Sequence, residues 1–584
     1  MAGKYSKYGN YDLSPRIKVE GFDREVSEGY DALLAEIKKL MEQGKRIFTF
    51  DLYPGVDKAS LLVRLKKLNP ALLIDSEDCA LTEEELSAFF AGDMTDDRVF
   101  GILTHKKLAD CFVPQKLDAA RRKAENTDGA VFLVGVGAGL ILRGDVSFYF
   151  NVSRWEIQLR YRAGMPNWHC GNADDPLLTK CKRGFFIEWR IADRYKRTRF
   201  DDLDYMVDAN IPERPKLLTG NAYRAALDQA SRRPFRLKPY FDPGVWGGQW
   251  MRDAFGLPGD APNYAWSFDG VPEENSLQFQ FGETVAELPC MDLVLYRPHQ
   301  LLGERVHGRF GAEFPIRFDL LDTMDGGNLS LQVHPLTEYI QENFGMHYTQ
   351  DESYYILDAA EDEEPCVYLG LREGIDRHAM IADLKKAQQG NFRFPDEKYV
   401  NRIPVKKHDH VLIPAGTVHC AGKGAMVLEI SATPYLFTFK LWDWGRVGLD
   451  GIPRPIHIDR GEQSIQWDRD TRWVSRNLIG QTKLCRKEDG LTVERTGLHA
   501  REFIETCRYT FRKPVVCQCG DSVHVLNLVD GGQITVTSPG DEFAPFDVHY
   551  AETFIIPAGV NEYRLVPSGV SEGKTVMVID ASVR

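Results

Sequence analysis

The stretch Asn328-Leu329-Ser330-Leu331-Gln332-Val333-His334-Pro335 sets Ser330, Gln332 and His334 at alternate positions between Leu329, Leu331 and Val333. In an extended strand this alternation sends the polar set to one face and the aliphatic set to the other. An amide and an imidazole, both able to ligate a metal, therefore point the same way from an apolar backing. Two further segments, Asp351-Glu352-Ser353-Tyr354-Tyr355-Ile356-Leu357 and Ile413-Pro414-Ala415-Gly416-Thr417-Val418-His419, each add one ligand type in a strand-and-turn setting. Donors of this kind suit a divalent cation that keeps an open coordination position. Taken singly, each has a plainer reading. Gln332 fits a hydrogen-bonded sheet residue, Glu352 a surface carboxylate at a strand start, and His419 a turn residue. His408 and His410 alternate into a charged strand edge, where solvent is the expected environment.

The elements that would position these ligands belong to a chain of 584 residues, a length that implies about three or four domains. Its 43% hydrophobic content can fill their cores, and its net charge of −13 argues against a nucleic-acid partner. No apolar run reaches the roughly 18 residues of a membrane span, and Met1-Ala2-Gly3-Lys4-Tyr5-Ser6-Lys7 lacks the apolar core of a signal peptide. A cytoplasmic protein without a membrane partner is expected. The 11 cysteines are scattered without paired CxxC spacing, as reduced thiols would be.

Helical periodicity over Tyr30–Gln43 followed by an apolar strand at Arg46–Leu52 opens an α/β region. Strand-then-helix signals recur at Ala71–Asp75, Val99–Leu103 and Ala130–Val134, predicting a parallel sheet with helices on its faces. The Pro-rich basic stretch Arg232–Pro239 marks a boundary. Beyond it the pattern is short strands with Gly and Pro turns, broken by helical runs at Leu336–Phe344 and Arg377–Gln389. The expected organisation is an α/β domain over 1–230, then a metal-binding β-barrel over 235–370 and 400–460. A helical insertion over 371–399 and a second β domain over 461–584 complete it.

The turn Leu52-Tyr53-Pro54-Gly55-Val56-Asp57-Lys58-Ala59-Ser60 stands where a phosphate-binding loop would sit. Lys58 has the right position, but Leu52 and Asp57 replace the two glycines and Ala59 the magnesium-holding hydroxyl. Gly135-Val136-Gly137-Ala138-Gly139 lacks the third glycine of a dinucleotide fingerprint and reads as a tight strand exit. Residues 30–215 nevertheless resemble the uridine kinase family in layout, with Trp189–Lys196 similar to its basic lid and Asp204–Asp208 following. The resemblance implies a kinase-like domain with a degenerate, non-catalytic loop.

From about residue 235 the chain closely resembles the class I mannose-6-phosphate isomerases. The matching blocks, in order, are Gln332–Pro335, Glu352–Leu357, Ile413–His419, Leu428–Ile430 and Trp442–Arg446, preceded by Pro239–Phe241 and Val245–Gly248. The resemblance implies cupin-fold barrels, one Zn²⁺ per chain held by Gln332, His334, Glu352 and His419, and a small-molecule hexose phosphate as substrate. It implies an aldose–ketose isomerisation between mannose 6-phosphate and fructose 6-phosphate, in which a polarised carbonyl lowers the cost of an enediolate. Three basic positions of similar family members are altered. Gln350 and Asp319 stand where those members carry lysines, and Lys440 where they carry an arginine. Lys440 is the candidate catalytic group, and Arg446 and Arg317, with Arg297, are candidates for the phosphate. Arg446 has the alternative reading of a structural ion pair with Asp443. The altered positions also leave open a metal-binding cupin that has lost isomerisation and serves in sugar binding or regulation.

Overall fold

Strand Ile47–Leu52 is buried along its whole length and lies in the interior of a seven-stranded sheet. It pairs in parallel with Val131–Gly135 and Val146–Asn151. Leu72–Asp75 extends the sheet in parallel on one side and Tyr205–Asp208 on the other. Lys216–Thr219 and Val26–Glu28 then complete it in antiparallel fashion. Phe50 packs against Phe148 at 5.1 Å and Phe132 at 5.3 Å between ring centroids, which fixes the central strands to one another. The structure is a computed structural model and describes residues 4–5, 7–390, 392–432, 437–449, 451, 453–497 and 499–584.

The expected strand at Val99–Leu103 is irregular chain. Asp97 takes the amides of Val99 and Phe100 on its carboxylate, at 2.8 and 2.9 Å, and Ile102 donates to the Asp93 carbonyl, so these groups are not offered to a sheet.

The chain divides into two compact units, and neither is continuous. The α/β unit comprises Arg16–Ala230 and Glu273–Arg297, and the β-rich unit Met1–Pro15, Ser231–Pro272 and Pro298–Arg584. The single boundary expected near residue 230 is therefore only one of four crossings. Within the α/β unit the reason is Asp292, a fully buried carboxylate that accepts from Lys196 Nζ at 2.6 Å, Asn151 Nδ2 at 2.7 Å and Tyr223 OH at 2.8 Å. Strand Arg16–Lys18 also pairs with Ser276–Phe281, which forms a hairpin with Thr284–Pro289. In the β-rich unit Tyr11 donates to Asp269 at 2.6 Å, tying the N-terminal segment to residues far along the chain.

Two sheets of the β-rich unit carry the predicted ligands. One runs in the order His410–Ile413, Glu352–Ala359, Ala425–Ala432, Ile316–Asp322, Trp266–Gly270, Tyr240–Asp242. The other runs Val400–Pro404, Cys366–Leu371, His419–Ala421, Leu331–Val333, Phe439–Trp442. Helices Thr337–Phe344 and Arg377–Gln388 occur where helical periodicity predicts them. Two further sheets, built from strands between Lys483 and Val583, close on a separate core that includes Phe511, Leu526, Leu528, Val548 and Tyr563. No helix among the described residues is long and apolar enough to cross a membrane.

Candidate metal centre

Strand register brings the ligands together. Gln332 pairs directly with His419 on one side and with Lys440 on the other, so their side chains share a face. Glu352 enters from the first strand residue of the opposing sheet, paired with Ser431, and His334 lies just beyond Val333. The turn before His419 needs Gly416, whose φ is +87° and whose absent Cβ leaves room for Gln466 and the Ser464 carbonyl. The Gly416 amide donates to the His334 carbonyl at 2.9 Å, which ties the two histidine-bearing segments together.

His334, Glu352 and His419 are fully buried and Gln332 nearly so. His334 Nδ1 lies 3.1 Å from the Phe437 carbonyl and His419 Nδ1 2.8 Å from the Thr417 carbonyl. A carbonyl only accepts, so each Nδ1 carries a proton, and in a neutral ring Nε2 is left with its lone pair. Both Nε2 atoms face the same carboxylate, His334 at 3.0 Å from Glu352 Oε2 and His419 at 2.7 Å from Oε1. Oε1 is buried without an aligned hydrogen bond. Gln332 Nε2 is 3.3 Å from His419 Nε2, and exchanging the amide's nitrogen and oxygen would aim an oxygen at the same point. Lone pairs and carboxylate oxygens this close repel one another unless positive charge sits among them. This donor set fits a divalent cation of the zinc type, with two imidazoles, a carboxylate and an amide oxygen. Burial raises the Glu352 carboxyl, and only positive charge among these donors, whether protonated imidazoles or a bound cation, holds it well below the usual carboxylate range.

Behind Glu352 lies a buried layer that the ligand motifs do not announce. Gln350 donates to Glu352 Oε2 at 2.9 Å and lies 3.3 Å from Glu429. Glu429 is ion-paired to Arg317, whose Nε also donates to Ser431 at 2.9 Å and which lies 3.3 Å from Asp319. Burial pushes Asp319 up to about 6, with Arg317 opposing and Glu352 adding to the rise, and it pushes Glu429 well above its ordinary range. An acid and a base within the apolar strands Leu428–Ile430 and Ile316–Phe318 were the signal available in the sequence.

Of the candidate phosphate-binding residues, Arg317 is thus enclosed among carboxylates at 2% exposure. Arg446 donates to Asp443 Oδ1 at 2.7 Å, the ion pair given as its alternative reading. Arg454, which the motifs do not mark, reaches the same carboxylate at 3.0 Å and Ser330 Oγ at 3.1 Å. Two guanidinium groups on one carboxylate leave net positive charge beside Lys440. Arg297 belongs to the α/β unit, where it is ion-paired with Asp228. The half-buried Lys440 amine is brought down to about 8 by desolvation and then by Arg454, against the pull of Asp443. His410 corrects the expectation of a solvated ring: it is 8% exposed, and burial lowers it to about 3.

In the α/β unit Lys58 is held by Asp75 at 2.8 Å and Glu77 at 2.6 Å, and Asp57 caps the following helix through the Ser60 amide at 3.1 Å. The Gly139 amide at the glycine-rich turn donates to Asp51 at 3.0 Å, as does the Tyr195 hydroxyl at 2.9 Å. Here the protein's own carboxylates sit against the lysine and the amide that a phosphate would seek.

Two sheets of the β-rich unit bring a His/Glu/His/Gln cluster together, and comparison with known proteins adds a set of relatives. A family model described as "Domain of unknown function (DUF8485)" matches residues 29–232. Three curated proteins named as mannose-6-phosphate isomerases are similar to part of this chain. YvyI of Bacillus subtilis, which carries the name provisionally, is 29% identical over 230 residues, or 39% of this chain and 66% of that one. ManA of Bacillus subtilis is 26% identical over 237 residues, 40% and 68%. The enzyme of Streptococcus mutans is 28% identical over 235 residues, 40% and 66%. The chain thus spans about two thirds of the length of the curated relatives it matches. The crystal structure of the mannose 6-phosphate isomerase from Bacillus subtilis aligns over 60% of this chain and 99% of its own, with 20% identity and a TM-score of 0.48.

Proposed function

We propose that the β-rich unit binds one Zn²⁺ through Gln332, His334, Glu352 and His419, and that it isomerises a hexose phosphate. The interconversion of mannose 6-phosphate and fructose 6-phosphate is the reaction that the named relatives suggest. One observation carries this reading: two imidazole lone pairs and a buried carboxylate converge at 2.7–3.0 Å, an arrangement that calls for a cation. When bound, the metal supplies Lewis-acid polarisation of a sugar carbonyl oxygen. The chain's own groups do the rest. Lys440, on the same face as Gln332 and with an amine near neutrality, moves the proton between the two reacting carbons. Arg446 and Arg454, sharing Asp443, supply the net positive charge that holds the phosphate. Arg317 acts through Glu429 and Gln350 to set the Glu352 carboxylate and does not touch the sugar. The α/β unit, by the same proposal, is a kinase-like domain that transfers no phosphoryl group.

Metal analysis of the purified protein together with a coupled assay for fructose 6-phosphate tests the proposal. Stoichiometric zinc with turnover of mannose 6-phosphate is expected. Zinc without turnover of any hexose phosphate favours the second reading, a sugar-binding or regulatory cupin. The pairing of Arg317 with Glu429 and Asp319 behind Glu352, beside Gln350, supports that alternative.

A further inference from the structure

A second group of metal-binding side chains lies at the surface of the β-rich unit, on the segment Pro298–Phe310. Its members are His299, Glu304 and His307, whose donor atoms all lie within 4.8 Å of one another. The imidazole rings of His299 and His307 stand 3.9 Å apart between centroids, tilted by 42°. Glu304 Oε1 lies 2.8 Å from His299 Nδ1. An exposed His–Glu ion pair would account for two of the three groups and adds little stability on its own. It does not account for a second imidazole drawn against the first.

The backbone beneath the cluster is held in place. His299 sits on helix Pro298–Leu302, and Glu304 and His307 sit on helix Glu304–Phe310, with Gly303 at the bend between them. Gly303 has φ +84°, and a Cβ there would meet the Asp521 carbonyl oxygen at 2.5 Å. The Asp521 carboxylate takes the amides of Glu304 at 2.9 Å and Arg305 at 3.2 Å, so residues far along the chain fix the angle at which the three ligands meet. A tetrahedral zinc ion with bonds of about 2.1 Å holds its donors roughly 3.4 Å apart. Exposed side chains, here 49% for His299 and 71% for Glu304, reach that spacing by small torsional changes.

We propose that His299, Glu304 and His307 form a second divalent transition-metal site that takes Zn²⁺ reversibly and leaves one coordination position to water or an exogenous ligand. Two imidazoles and one carboxylate favour Zn²⁺ over Ca²⁺ or Mg²⁺, which seek all-oxygen shells. The site is independent of the barrel centre.

Titration of chelator-stripped full-length protein with ZnCl₂ by calorimetry, checked by elemental analysis after desalting, counts the equivalents. Wild type is compared with the double variant His299→Ala/His307→Ala, with His334→Ala, and with Glu304→Gln, all verified as folded by circular dichroism. The double variant is expected to bind one equivalent fewer than wild type, and Glu304→Gln to hold the weaker equivalent at least about tenfold less tightly. Equal numbers of equivalents in wild type and the double variant overturn the proposal, whatever happens at the barrel. Were the barrel reading alone to fail, His334→Ala would bind as wild type does while the double variant still lost its equivalent. Retention of the weaker equivalent by His334→Ala supports the separate site, and its loss there overturns it.

Discussion

Glu352→Gln is the substitution that interrogates the barrel centre most directly, because it removes the charge between the two imidazoles and changes almost no volume. Without metal, wild type places a buried carboxylate against Nε2 atoms at 2.7 and 3.0 Å, whereas the glutamine amide can donate to one of them. With metal, wild type gains binding energy that the variant mostly loses. At free zinc about 1,000-fold above the dissociation constant, linkage stabilises the folded state by about 4.1 kcal/mol. A ligand loss that weakens binding about 100-fold leaves about 1.4 kcal/mol, a difference of about 2.7 kcal/mol. For a unit of this size, with an unfolding entropy of about 2.1 cal/mol/K per residue, that corresponds to about 4 °C in Tm. Thermal unfolding in zinc and in excess chelator, for both proteins, reads the effect. The expected pattern is a crossing: wild type melts higher in zinc, and the variant melts at or above wild type in chelator. If zinc raises both melting temperatures by the same amount, Glu352 is not a ligand and the charge argument for the site fails.

His334→Ala is expected to abolish bound barrel zinc and isomerisation together, seen by elemental analysis and the coupled assay. Lys440→Gln should keep the metal but lower kcat by about 100-fold. If Lys440 acts as the proposed base, its acting form is the neutral amine, so wild-type turnover should rise as pH climbs through about 8 and then level off, and the variant should lose that limb. Arg317→Met leaves Glu429 and Asp319 buried without their counter-charge, and chemical denaturation should show a loss of about 3–5 kcal/mol. Lys58→Ala should leave isomerisation unchanged, since its partners Asp75 and Glu77 lie with it in the α/β unit.

The clustering of Gln332 and His419 was legible because strand periodicity places Ser330, Gln332 and His334 on one face, and the register of Gln332 with His419 and Lys440 agrees with it. Helices such as Arg377–Gln388 were legible for a similar reason, since a repeating apolar stripe needs no distant partner to declare itself. What escaped was decided by distant residues. His410 looks like an edge residue until the neighbouring strands bury it. Arg317 reads as a phosphate-binding cation until Glu429 claims it, and Arg454 carries no motif and shows itself only through Asp443. The irregular chain at Val99–Leu103 depends on one Asp97 carboxylate competing with a sheet, which apolar content does not reveal. The joining of Glu273–Arg297 to the α/β unit rests on the buried acid Asp292 and on the pairing of Ser276–Phe281 with Arg16–Lys18, both made with residues far off in sequence.

That acid has a consequence for biosynthesis. A ribosome that has released residues 1–230 has delivered Lys196, Asn151 and Tyr223 but not the carboxylate that accepts from all three, which arrives some sixty residues later at about 5–20 residues per second. For those seconds Lys196, destined for the interior, lacks its nearer carboxylate partner and has only Asp193, 3.8 Å away in the folded unit.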